Sequence, residues 1–177
     1  MLRRYAMLLG IASSVVALDQ WTKYLIRANL EFGEIWVPFE ALPFLRIVHW
    51  TNTGSAFGFF PSGGLLFTVV AVVVAGAILY YFPRVPQGEL PLRLALSLQM
   101  GGAVGNLIDR LAIGTVTDFV AVGGFPVFNV ADSSITIGVA VLLGAMVFGE
   151  MEPEAQEVDS HVEVAESTPQ AELDASE

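Results

Sequence analysis

Four long apolar stretches, joined by shorter polar segments, set the pattern of this chain, at about Tyr5–Ile26, Gly64–Phe82, Leu90–Ile108 and Ser133–Gly149. A hydrocarbon core of roughly 30 Å is crossed by about 20 helical residues, and each stretch reaches or nearly reaches that length. The second is the clearest, an uncharged run that closes on Tyr80, Tyr81 and Phe82, aromatic residues suited to a membrane interface. The third is interrupted by Gln99, Gly101, Gly102, Gly105 and Asn106, so a soluble core helix is the alternative for that segment alone. The first opens with Arg3 and Arg4 in the manner of a cleavable signal. It runs without a small-x-small cleavage site into Asp19-Gln20-Trp21-Thr22-Lys23 and is read as a permanent helix.

Between the first two stretches, Ile35-Trp36-Val37 and Phe44 to Trp50, separated by Pro38 and Pro43, read as short strands. A small sheet on the membrane surface would hold Trp36 and Trp50 at headgroup level. The predicted architecture is an all-α membrane protein of four transmembrane helices, with a small extracytoplasmic β-sheet segment at about residues 32–62 and both termini inside. Basic residues do not decide the orientation by number. Arg3, Arg4, Arg84 and Arg93 fall inside, against Lys23, Arg27, Arg46 and Arg110 outside. The N-in choice rests on Arg3 and Arg4 flanking the first span, and on Lys23 and Arg110 lying beside acids at helix ends.

Composition agrees with a membrane protein: 54% hydrophobic residues and 15% charged, with a mean hydropathy of +0.64, lie outside the soluble range. The net charge of −10 belongs to the end of the chain. From Glu150 onward there are acids and no Lys or Arg, whereas residues 1–149 balance eight acids against eight bases. The segment 151–177 is therefore expected to be a disordered acidic tail, outside a membrane domain of residues 1–150. No basic nucleic-acid footprint exists. The absence of cysteine excludes a thiol nucleophile, a disulfide and a cysteine-ligated metal, and two remote histidines, His49 and His161, make no zinc motif. His49 is read as a surface or loop histidine.

Ionisable groups at membrane depth are costly and point to function by default. In the four-helix layout Asp19 and Lys23 fall at the outer end of the first helix, Asn106, Asp109 and Arg110 at that of the third, and Asp132 at the start of the fourth. Asn52 and Asp118 come from the outer loops. The groups meet in one layer, and the inner ends show no comparable set. Structural readings stand beside this. Asp19 and Lys23, four apart, can be a local ion pair. Asp132 stands where an N-cap belongs, able to accept from the amides of Ser134 or Ile135. Asp109 and Arg110 can pair at a helix end, Gly101 and Gly105 form a small-xxx-small packing face, and Asn52-Thr53-Gly54 can be a plain turn. Asp118 is the acid least explained by structure.

Two carboxylates close together in desolvated surroundings cannot both ionise easily. One then draws a proton from water while the other protonates the carbonyl and the departing amine, without metal or cofactor. Asp118 and Asp132 are the candidates, since Asp19 and Asp109 each have a base at hand.

Five blocks, Asp19 to Lys23, Asn52 to Phe57, Gly101 to Arg110, Val116 to Phe119 and Phe125 to Ile135, resemble in order those of the signal peptidase II family. The resemblance spans residues 19–135. It implies a multi-pass aspartyl endopeptidase of the bacterial inner membrane with its active site near the extracytoplasmic face. The substrate would be a prolipoprotein whose lipobox cysteine carries diacylglycerol, cut on the N-terminal side of that cysteine. Asp118 and Asp132 match the catalytic aspartates. Asp19, Lys23, Asn52, Gly54, Asn106, Asp109, Arg110 and Asn129 match positions that line or brace the site. Membrane lipids and globomycin-type inhibitors are implied as further partners. The rival functions are an ion or proton transporter, a serine/lysine peptidase using Lys23 with Ser55, Ser133 or Ser134, and a noncatalytic assembly factor.

Overall fold

The structure, a computed structural model, describes residues 2–54 and 63–149. Ser55, Ala56 and Phe57 of the second block, and the segment 151–177 expected to be disordered, lie outside the described residues. The chain divides into two compact units, Met1–Leu143 and Gly144–Glu177, and of the second only the residues up to Gly149 are described.

Four helices form where the apolar stretches predict them: α1 (Leu2–Asn29), α2 (Gly63–Tyr81), α3 (Leu90–Ile113) and α4 (Val130–Gly149). At about 1.5 Å per residue they are roughly 30–40 Å long. Three run further than hydropathy predicts, α1 to Asn29, α3 to Ile113, and α4 back to Val130, because the polar residues at these ends pair with one another and extend the helix beyond its apolar run. Gly114, with φ of 79°, stops α3 and returns its amide to the Arg110 carbonyl at 3.1 Å.

Two described helical segments, Gly64–Arg84 and Val130–Val147, are apolar and long enough to cross a membrane, and only 17% of each is buried. A soluble core helix would be mostly buried. Here Leu65, Leu66, Val69, Val72 and Val73 of α2 stand exposed, a surface suited to lipid. α1 and α3 carry more polar residues and face each other instead. Gly101 brings them together: a Cβ there would meet Val15 Cβ at 2.6 Å, so the small-xxx-small face is a packing face as read. At the end of the bundle away from the site, Leu8, Ile78 and Phe82 form a buried cluster. Arg93 is buried there too, donating to the carbonyls of Val85 at 3.0 Å and Arg4 at 2.9 Å. That end thus holds a buried charge, but one spent on binding α1 to the turn before α3.

The sheet has three antiparallel strands in the order β1 (Ile35–Trp36), β2 (Leu45–Asn52), β3 (Val116–Val122). The first two are the expected strands. The third was expected as loop, and it corrects the placement of Asn52 and Asp118. Asn52 ends β2 opposite Val116, and Asp118 lies within β3 opposite Trp50. His49 likewise lies on β2, donating from Nδ1 to the Leu30 carbonyl at 2.9 Å.

Candidate active site

One hydrogen-bonded network joins α1, α3, β3 and α4. Its centre is Lys23, fully buried. An ammonium has three protons, and three acceptors surround this one: Asp19 Oδ2 at 2.8 Å, Asn106 Oδ1 at 3.0 Å and Asp109 Oδ2 at 3.4 Å. The local Asp19–Lys23 pair is present, but it is one edge of a larger cluster. Asp109 does not pair with Arg110 as the sequence led us to expect. Adjacent helical residues point about 100° apart, and Asp109 turns toward α1, where Arg27 Nη1 lies at 3.6 Å and Gln20 Nε2 donates at 3.2 Å.

Both carboxylates also grip main chain. Asp19 Oδ1 accepts the amide of Ala131 at 3.0 Å, and Asp109 Oδ2 accepts the amide of Thr117 at 2.9 Å. Ala131 immediately precedes Asp132, and Thr117 immediately precedes Asp118. Lys23 therefore holds two acids, each of which fixes the backbone one residue before a candidate catalytic aspartate. Gly105 makes room for this: a Cβ there would lie 2.7 Å from Asp19 Oδ2. Gln20, Arg27 and Thr117, absent from the predicted site, belong to the cluster, with Arg27 Nη1 donating to Thr117 Oγ1 at 2.9 Å.

Asp132 is not the N-cap of α4. The helix begins one turn earlier than predicted and Asn129 caps it, its carbonyl accepting the amide of Ser133 at 3.1 Å. Asn129 Oδ1 accepts from the Asp132 amide at 2.9 Å, while Asp132 Oδ2 accepts from the Asn129 amide at 3.3 Å. This is a reciprocal capping box with Asp132 at its third position. Asp132 Oδ1 accepts from Asn106 Nδ2 at 2.7 Å, and Asp118 Oδ1 from Asn129 Nδ2 at 2.6 Å. The two aspartates are thus joined through asparagines whose orientation is set on both sides. Asn106, for example, turns its oxygen to Lys23 and its nitrogen to Asp132.

Burial pushes the Asp118 carboxyl up to about 6 from its usual 3.8, and the Asp132 charge adds to this. Hydrogen bonds from Asn52 and Asn129, and the charge of Lys23, act in the opposite direction and are outweighed. Asn52 Oδ1 also accepts the amide of Gly54, whose φ of 75° closes the turn after β2.

Asp132 opens onto a cavity of about 640 Å³. One wall is the apolar face of α2, with Phe67, Val70, Ala71 and Val74, and the other is Ala103, Asn106 and Arg110 of α3 with Ile135 of α4. Asn52, Gly54 and Pro126 line it together with Asp132. Arg110 faces this cavity, 5.6 Å from the centre of the Phe67 ring. The result is an apolar trough with a carboxylate at one end. Among the described residues no group of His, Cys, Asp and Glu could hold a metal ion.

A family model described as signal peptidase (SPase) II matches residues 11–148. The chain belongs to the signal peptidase II family. Lipoprotein signal peptidases of Shouchella clausii and Acinetobacter baylyi are 40% and 38% identical over 134 and 143 residues, covering 75% and 76% of this chain and 87% and 78% of theirs. That of Staphylococcus aureus is 38% identical over 141 residues, 77% of this chain and 85% of its own. Two solved bacterial membrane enzymes share the fold, with TM-scores of 0.77 and 0.73 at 34% and 36% identity. They cover 86% and 80% of this chain, and 94% and 92% of their own. Family and apolar helices together make this chain a membrane peptidase.

The network argues against the serine/lysine alternative. Lys23 Nζ is turned to Asp19, Asn106 and Asp109, not to a serine hydroxyl. Ser133 Oγ and Ser134 Oγ donate to the carbonyls of Asn129 and Leu98 at 2.9 and 2.7 Å. Ser55 lies outside the described residues.

The approach of α3 to α4 gives a prediction. A Cβ on Gly102 would collide with the main-chain oxygen of Ala131 and lie 2.6 Å from Ile135 Cγ1. Gly102→Ala must displace the first turn of α4, and Asp132 with it. For a candidate catalytic group such as Asp132, a shift of about 1 Å is expected to cost about 100-fold in rate. Gly102→Ala is expected to lose activity on that scale while the detergent-solubilised protein still folds, as read by turnover beside size-exclusion elution.

Proposed function

We propose that this chain removes signal peptides from diacylglyceryl-modified prolipoproteins, cutting on the N-terminal side of the lipidated cysteine by aspartyl chemistry. The observation that carries this reading is the joining of Asp118, through Asn129 and Asn106, to Asp132, which lines an apolar trough. The trough suits a substrate that is itself a membrane helix, with its cut site arriving where the acids lie. Asp132, part-exposed and hydrogen-bonded on both oxygens, is the carboxylate that draws a proton from the attacking water. Asp118, buried and with its acidity weakened, supplies the proton to the carbonyl oxygen and then assists the leaving amine. Asp19, Lys23 and Asp109 hold both backbones in place. Arg110, Asn52 and Gly54 line the substrate's path.

In this reading all four helices of residues 1–150 cross the bacterial inner membrane, N-in and C-in, and the sheet lies on the extracytoplasmic face. Globomycin-type cyclic peptides and membrane lipids would enter the same trough. The chain has no cysteine of its own, so single cysteines can report sidedness directly. Cysteines at Asn52 and Arg84 are expected on opposite sides of the membrane, and labelling of both from one side contradicts the topology. For the reaction, purified enzyme in detergent is expected to cut the lipidated precursor and leave the unmodified one intact. Mass analysis should find the lipidated cysteine at the new N-terminus.

A further inference from the structure

Gln99 lines the trough beneath the acids but takes no part in the network around them. It lies seven residues before Asn106 on α3, so the two share a helix face and are about 10 Å apart along the axis. Ala103 and Arg110 continue that face, and all four line the cavity. Across from Gln99 stand apolar side chains, Ala71 and Val74 of α2 and Ile135 of α4. Its stem is seated against Gly138, where a Cβ would come within 2.9 Å of Gln99 Cγ.

The amide nitrogen of Gln99 is buried and has no hydrogen-bond partner among the described residues. An unsatisfied buried donor is costly, and a bilayer offers no water to relieve it. Its terminal torsion is soft, so the amide can turn toward the cavity that the residue lines.

Resting on the proposed peptidase function, we infer that Gln99 is a positioning residue for the substrate, its amide donating to a main-chain carbonyl at the C-terminal end of the signal-peptide helix. A peptide must be extended where it crosses an aspartate pair. About three extended residues, at roughly 3.3 Å each, cover about 10 Å. That matches the distance along α3 from Gln99 to Asn106, which touches Asp132. At this depth the substrate helix gives way to extended chain, and its last carbonyls have no intrahelical donor. An amide facing them lets the helix end there and sets which peptide bond reaches the acids. The same substrate carries other carbonyl oxygens, those of the diacylglyceryl esters, and the experiment separates the two sources.

Wild type and Gln99→Met are assayed on the diacylglyceryl-modified precursor and on its dialkyl-ether analogue, which lacks the ester carbonyls, with thermal unfolding of both proteins alongside. The expected result is a fall in kcat/KM of about tenfold on both substrates, the worth of one hydrogen bond, carried by KM. The unfolding temperature should stay level or rise, because the free enzyme loses only an unsatisfied amide. Equal kcat/KM for the two proteins overturns the inference. So does a loss confined to the ester substrate, which assigns the contact to the lipid, or a loss that tracks a lowered unfolding temperature. Wild type that cuts neither precursor overturns the peptidase reading itself.

Discussion

Asp118→Asn is expected to be nearly inactive and yet more stable than the wild type above pH 6. In the proposed mechanism Asp118 is the general acid, and removing such a group costs about 10²–10⁴-fold in rate, so turnover should fall by about 10³. The stability gain follows from linkage. The folded Asp118 carboxyl sits at about 6 against an ordinary 3.8, so the fold favours its uncharged form. That preference is fully satisfied below about pH 3.8 and is lost as pH rises through about 6. At neutral pH the wild type is thereby weakened by on the order of 3 kcal/mol, at ~1.36 kcal/mol per pH unit. Asparagine stays neutral at every pH and can still accept from Asn129. Thermal unfolding in detergent should show the variant ahead at pH 7.5 and level with wild type near pH 4. A variant less stable than wild type at pH 7.5 would contradict the burial argument for Asp118.

Lys23→Met has the largest expected effect on folding. It leaves Asp19 and Asp109 buried together without their common cation, and breaking a buried pair by removing one partner costs about 3–5 kcal/mol. The damage reaches the site, because these two acids hold the amides of Ala131 and Thr117. Adding Asp109→Asn to Lys23→Met removes one stranded charge and should recover part of the stability. A lysine acting as general base predicts the reverse: Lys23→Met would fold as well as wild type and be inert, and the second change would recover nothing. Unfolding midpoints of the two variants separate these outcomes.

Hydropathy alone located four helices to within a few residues at most ends, because uninterrupted apolar runs have no competing local preference. β1 and β2 were legible from aromatic and β-branched runs on either side of Pro38 and Pro43. β3 was not, since it is buried on both faces along most of its length. Its residues therefore do not alternate in polarity, and the acid at Asp118 breaks what remains of the pattern. The acids expected to gather do come together in one network, but their partners were misread wherever these lie far away in sequence. Asp109 pairs with Lys23 and Arg27, more than eighty residues earlier, not with the neighbouring Arg110. One signal for Arg27 was present: Asp19, Lys23 and Arg27 recur at intervals of four and so share one face of α1. The capping box was hidden because the first acid of α4 looked like its cap, while the true cap, Asn129, was assigned a role only through the family resemblance.

The measurement that bears most directly on the paired aspartates is cleavage of a verified diacylglyceryl-modified precursor by wild type, Asp118→Asn, Asp132→Asn and the double serine variant Ser133→Ala/Ser134→Ala. The expected result is turnover by wild type and by the serine variant, with each asparagine variant reduced by about 10³-fold while remaining folded. Near-wild-type turnover by either asparagine variant, or an inert serine variant that folds normally, would contradict the assignment of the reaction to Asp118 and Asp132.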